Sequence, residues 1–117
     1  MEVTTLSETK ISDTVIKREI KIDVPKQKLS HTLTQLHYIG WPDWGLPQES
    51  EGVMHIVSEM VKLREASDKP IIVHCSAGVG RTGTVIAIAL IQELLLFQKA
   101  QSHELAVSVF EIVSRLR

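Results

Sequence analysis

Polar and apolar positions alternate through Thr14 to Val24, where Lys17, Glu19, Lys21 and Asp23 fall between Ile16, Ile20, Ile22 and Val24. A period of two is that of a half-buried strand. The segment from Glu2 to Ser7 is also rich in β-branched residues, so the two read as antiparallel strands joined through Glu8-Thr9-Lys10. Pro25-Lys26-Gln27-Lys28 marks a turn, and His31 to Ile39 reads as a third strand. That strand runs into Gly40-Trp41-Pro42-Asp43-Trp44-Gly45-Leu46-Pro47, whose two prolines and two glycines neither continue a strand nor begin an ordinary helix. It is read as a loop.

Beyond Ser50, an expected N-cap, the period lengthens to that of a helix, with Val53, Ile56, Val57, Met60 and Val61 on one face. Asp68-Lys69-Pro70 stops it. The apolar run Pro70-Ile71-Ile72-Val73-His74 suits a central strand covered on both faces. A glycine-bearing loop follows, then a helix over Thr84 to Phe97, apolar on most of its surface and therefore expected to be deeply buried. Glu104 to Arg117 carries a last helical stripe of Ala106, Val109, Phe110, Val113 and Leu116, and ends without a cap or turn, as a truncated domain would. The expected class is α/β, a mixed sheet with antiparallel N-terminal strands, a central strand leading into a phosphate-binding loop, and C-terminal helices.

Composition narrows the class further. The 117 residues allow one domain or part of one, and 44% hydrophobic with 23% charged residues is an ordinary globular balance. A net charge of -1 gives no footprint for nucleic acid or an anionic membrane. The N-terminus has no secretory-signal pattern, and the longest apolar stretch, Val85 to Ile91, is too short for a bilayer. One cysteine excludes an internal disulfide and a multi-cysteine zinc site, and fits a reducing, cytoplasmic setting. His31, His37, His55 and His103 lack metal-ligand spacing, so neither metal nor cofactor is expected. Glu49, Glu51, Glu59 and Glu65 read as surface charges.

The chemistry concentrates in Val73-His74-Cys75-Ser76-Ala77-Gly78-Val79-Gly80-Arg81-Thr82-Gly83. A phosphate dianion needs donors converging on one point, and a tight loop of backbone N–H groups at a helix N-terminus supplies them. Ser76, Ala77, Gly78, Val79 and Gly80 have the small side chains such a loop demands. Arg81 follows, where its planar fork can bind two phosphate oxygens together. The same donors stabilise a Cys75 thiolate, Thr82 is placed to hydrogen-bond the sulfur, and His74 reads either as fixing the loop by hydrogen bonding or as a core histidine satisfied by backbone. A lone cysteine is most often a buried, inert one; the surrounding pattern argues against that here. The nucleotide-binding P-loop also follows a strand, but it ends in Gly-Lys-Ser/Thr, and here Gly80 precedes Arg81.

A nucleophile attacking phosphorus needs a proton delivered to the departing oxygen. Asp43 is the candidate acid, in the Trp41-Pro42-Asp43 loop between stiff elements, with Trp41 as an apolar anchor and Gly40 and Gly45 as hinges, the make-up of a lid. After a proline, aspartate is also a common turn former, and the cysteine loop tips the reading toward catalysis.

These residues resemble the classical protein tyrosine phosphatases. Residues Val73 to Gly83 are similar to that family's signature, Trp41-Pro42-Asp43 to its mobile acid loop, and Leu6-Ser7-Glu8, His37-Tyr38 and Val109 to Arg117 to its flanking segments. The resemblance implies Cys75 as nucleophile, Arg81 and the Ser76 to Gly80 amides as phosphate binders, Asp43 as general acid and base, phosphotyrosine proteins or peptides as substrates, and no metal. It covers about the C-terminal half of a family domain, so residues 1–117 are expected to be a partial domain, cytoplasmic or the cytoplasmic part of a receptor-type protein. Trp44 stands where the family often has histidine. A phosphotyrosine-binding module with little turnover is the alternative from another class, and a dual-specificity phosphatase a weaker enzymatic one.

Overall fold

The computed structural model describes residues 1–102 and 104–116; His103 and Arg117, both included in the readings above, lie outside them. Three strands and three longer helices follow in order: β1 (Glu2–Lys10), β2 (Val15–Val24), β3 (Leu29–Tyr38), α1 (Glu51–Ala66), α2 (Arg81–Ala100) and α3 (Val109–Arg115). The architecture is α/β, as expected. The chain divides into two compact units, residues 1–53 and 54–117.

The first unit is an antiparallel meander in the order β1-β2-β3. Ile20 pairs with Thr5 on one side and Leu33 on the other, and Ile22 with Val3 and His31, so the alternation in β2 sets the register of both neighbours. The β1 register shifts between Thr5 and Ser7, a bulge at Leu6. β1 continues through Glu8-Thr9-Lys10 instead of turning there, and the turn falls at residues 11–14. Ser12 explains the difference: its Oγ accepts the N–H groups of Thr14 (3.2 Å) and Val15 (3.1 Å), while Ile11 N–H bonds the Val15 carbonyl (2.9 Å). Val15, immediately after the turn, is fully buried. The Pro25 turn forms as expected, closed by Lys28 N–H on the Pro25 carbonyl (3.1 Å) with Lys28 left-handed at φ 52°.

Helix α1 buries Val53, Val57 and Val61, one side chain every four residues, as its sequence period requires. Residues 70–74 form no strand, and Ile72 is 86% exposed. A central strand exists only through ladder bonds to neighbours on both sides, and all the strand pairing among the described residues belongs to β1, β2 and β3. Helix α2 begins at Arg81, three residues earlier than its apolar run, and is much less covered than its composition implies. Only Ala87 and Ala89 are buried, and Phe97 is 61% exposed. Its length and apolarity meet those of a bilayer-crossing helix, contrary to the reading of Val85 to Ile91, although core helices of globular proteins meet the same test.

Helix α3 starts at Val109 instead of Glu104. The Gln98 side chain clamps Ala106 from both sides, its Nε2 donating to the Ala106 carbonyl (2.8 Å) and its Oε1 accepting the Ala106 N–H (3.0 Å). Those backbone groups are thereby withdrawn from helix bonding, and Ser108 becomes the cap, accepting Glu111 N–H at 3.3 Å.

Candidate active site

Cys75 opens the turn ahead of α2 and is half-buried. Gly78 takes φ +75°, a left-handed conformation that favours glycine, and this bends the chain back so that its N–H meets Cys75 Sγ at 3.2 Å. The amides of Thr82 and Gly80 also act on the sulfur. The leading influence is the Thr82 hydroxyl: Oγ1 is buried and reaches no group in full hydrogen-bond geometry, yet it acts on Cys75 Sγ. A hydroxyl donates more strongly to a thiolate than to a thiol. Together these donors outweigh partial burial, which opposes ionisation, and draw the thiol from an ordinary 9.0 to about 6. At neutral pH the sulfur is mostly thiolate.

His74 is exposed, and its Nδ1 lies 3.2 Å from the Cys75 carbonyl. Gly80 caps α2, its carbonyl accepting both Thr84 N–H (3.1 Å) and Thr84 Oγ1–H (3.3 Å). Ser76, Ala77 and Val79 are exposed around the turn, and Arg81, the first residue of α2, is half-buried. The structure thus brings Cys75, Gly78, Gly80 and Thr82 together as a thiolate-stabilising turn, with Ser76, Ala77, Val79 and Arg81 along the same short segment. Among the described residues no cluster of histidine, cysteine or carboxylate could hold a metal ion.

Asp43 belongs to the first unit, on the loop between β3 and α1. Gln48 N–H bonds the Gly40 carbonyl (2.7 Å), which closes residues 41–47 into a compact excursion. Trp41 Nε1–H spans it to the Gly45 carbonyl at 3.1 Å, and Gly45 takes φ +122°. Asp43 and Pro42 are exposed, and so is Trp44, at 93%. Gly40, read as a hinge, is buried instead: a Cβ there would lie 2.8 Å from Thr14 Cγ2 and 2.9 Å from the Tyr38 ring. Close approach explains that glycine.

Sequence reading misses the residues at the foot of the loop. Glu49, expected to be a surface charge, accepts Thr14 Oγ1–H on one carboxylate oxygen and Gly52 N–H on the other (2.7 Å), and its carbonyl accepts Tyr38 Oη–H at 2.8 Å. These donors hold its carboxyl below the usual range, Thr14 first and Gly52 next. Glu49, not Ser50, therefore satisfies the first turn of α1. Its place three residues ahead of the amide it accepts is the spacing of a cap, the one signal that could have revealed it.

The family model for protein-tyrosine phosphatase matches residues 1–117. The chain belongs to this family. Among curated relatives, human tyrosine-protein phosphatase non-receptor type 18 is 32% identical over 98% of this chain and 24% of the relative. Rat receptor-type tyrosine-protein phosphatase epsilon is 40% identical over 77% of this chain and 12% of the relative. The chain thus spans a quarter or less of either phosphatase. The solved catalytic domain of the human non-receptor type 18 phosphatase superposes with a TM-score of 0.82 at 32% identity, covering 98% of this chain and 39% of that one. The same phosphatase solved with HER2 phosphopeptides gives 0.80 at 31% identity, over 98% and 38%.

Proposed function

We propose that this chain carries the nucleophile and the acid of a phosphatase that hydrolyses phosphotyrosine in proteins or peptides. The observation supporting this most directly is the Cys75 thiol, held at about 6 by the Thr82 hydroxyl and the amides of Thr82, Gly78 and Gly80. The same kind of donor set suits a phosphate dianion.

In the proposed reaction a lone pair of Cys75 Sγ forms a bond to phosphorus. The bond from phosphorus to the phenolic oxygen breaks, and its electron pair leaves with that oxygen, which takes a proton from the Asp43 carboxyl. Arg81 and the Ser76 to Gly80 amides hold the equatorial oxygens throughout. The Asp43 carboxylate then accepts a proton from water as the water oxygen attacks the phosphocysteine. The sulfur departs as thiolate, aided by Thr82, and inorganic phosphate is released.

The peptides bound by the non-receptor type 18 phosphatase and the family itself favour phosphotyrosine as substrate. Relatives of both non-receptor and receptor type fit a cytoplasmic site of action, free or as part of a receptor. A second reading is a phosphotyrosine-binding module with little turnover, since the amides that act on Cys75 suit a phosphate dianion whether or not its ester is then cleaved.

Phosphate release from a phosphotyrosine peptide separates the two. The parent chain is expected to turn over and Cys75→Ser to be inactive, whereas a parent that binds the peptide without turnover supports the module. Full activity in Cys75→Ser would overturn the mechanism.

A further inference from the structure

The acid loop leaves and re-enters the fold at one point, and the Glu49 carboxylate stands there. Glu49 bonds Thr14 from the turn between β1 and β2, and Gly52 from the first turn of α1, while its carbonyl holds Tyr38 at the end of β3. Ile39 N–H bonds the Thr14 carbonyl at 2.8 Å, directly before Gly40, and Gln48 N–H bonds the Gly40 carbonyl directly before Glu49. The packing leaves no slack: a Cβ on Gly52 would fall 2.6 Å from the Tyr38 ring and 2.7 Å from Glu49 Oε1. The distant turn between β1 and β2, the end of β3 and the start of α1 are therefore pinned together at the two ends of the segment that carries Asp43.

We propose that Glu49 is a positioning residue for Asp43, its carboxylate locking together the two ends of the loop over residues 40–48. The chemical reason for a carboxylate is that it accepts both donors on two charged oxygens, while an amide accepts the Gly52 N–H on one atom and turns the Thr14 hydroxyl from donor to acceptor at the other. Glu49→Gln therefore keeps both contacts in weaker, uncharged form, and Glu49→Ala loses both. As a role in catalysis this rests on the reading of Asp43 as the acid; the loop lock itself does not.

Two measurements on the full chain decide it. The first is amide hydrogen exchange at Gln48, whose N–H closes the loop, with emission from Trp41 and Trp44, the chain's two tryptophans and both on the loop. Exchange is expected to quicken about tenfold in Glu49→Ala and less in Glu49→Gln, with a shifted tryptophan spectrum, at temperatures where each variant remains folded. Thr14→Val should shrink the effect of Glu49→Ala, because the two share a lost bond.

The second is turnover: Glu49→Ala is expected to lower kcat with KM unchanged, Glu49→Gln to retain more of it, and neither to have a further effect in an Asp43→Asn background. Unchanged Gln48 exchange in Glu49→Ala overturns the proposal, and so does an equal loss of kcat with and without Asp43. Turnover indifferent to Asp43→Asn would instead sink the acid assignment. If the parent chain has no turnover, Gln48 exchange decides the lock alone.

Discussion

Replacing Thr82 by valine removes one hydroxyl and keeps the side-chain volume close to its original, so it isolates the leading cause of the low Cys75 pKa. Three lowering influences remain in that variant, the amides of Thr82, Gly78 and Gly80, against partial burial, and the thiol midpoint is expected to rise above about 6 while staying below 9.0. In the parent at pH 7, a thiol at about 6 is roughly nine-tenths ionised, against roughly one part in a hundred at 9.0, a ~90-fold gain in thiolate. A less basic thiolate is also a weaker nucleophile, and a Brønsted slope of about 0.4–0.5 over that interval removes a factor of roughly 15–30. The folded chain should therefore react with iodoacetamide only about three- to sixfold faster than the same chain in urea at pH 7. Their rate profiles should cross at roughly pH 7.5–8, with the unfolded chain faster above that point. Since the chain has one cysteine, mass spectrometry assigns every adduct without ambiguity. A folded midpoint at pH 8 or above, or a Thr82→Val profile that overlays the parent, would refute the account of this turn.

Other expectations follow from the same geometry. A group whose folded pKa is depressed adds stability that is complete above its unfolded value and lost as pH falls through the folded one, so the melting-temperature advantage of the parent over Cys75→Ser should grow between about pH 6 and 9; an advantage that shrinks over this range contradicts it. Asp43→Ala should slow phosphate release yet leave phosphopeptide affinity nearly intact, measured by calorimetry on the Cys75→Ser background to prevent turnover. Gly78→Ala forces a Cβ into φ +75°, which should cost about 1–2 kcal/mol in urea denaturation and raise the thiol midpoint. Gly52→Ala overpacks the Tyr38 ring and should destabilise by about 1–3 kcal/mol, and a neutral result would mean that the contact relaxes freely.

The cysteine turn is legible in the sequence because its working parts are contiguous: residues 75–82 bend on themselves, and the local conformations of Gly78 and Gly80 depend little on distant packing. The meander is legible for a related reason, since the period of β2 fixes which side chains its neighbours must meet. What escapes the sequence is non-local. Glu49 looks like a solvated charge because Thr14, Tyr38 and Gly52 reach it only after the meander and the start of α1 have formed. Residues 70–74 have a strand's composition, but strand structure is a property of pairs, and no ladder includes them among the described residues. Helix α3 begins late because Gln98, on a different helix, competes for the backbone of Ala106. The covering of α2 falls short of its composition because an apolar surface states a need for neighbours without supplying them.

The bulge at Leu6 bears on how the chain behaves in company. Among the described residues β1 is exposed along its whole length and pairs with β2 alone, so its other edge offers backbone groups to any extended segment that drifts by. A visiting strand that began pairing at Val3 would lose its spacing at Leu6, where one extra residue breaks the repeat of donors and acceptors. Such a recruit is limited to a few residues on either side, too few to hold. One displaced leucine therefore discourages sheet-to-sheet polymerisation along an edge that is otherwise open.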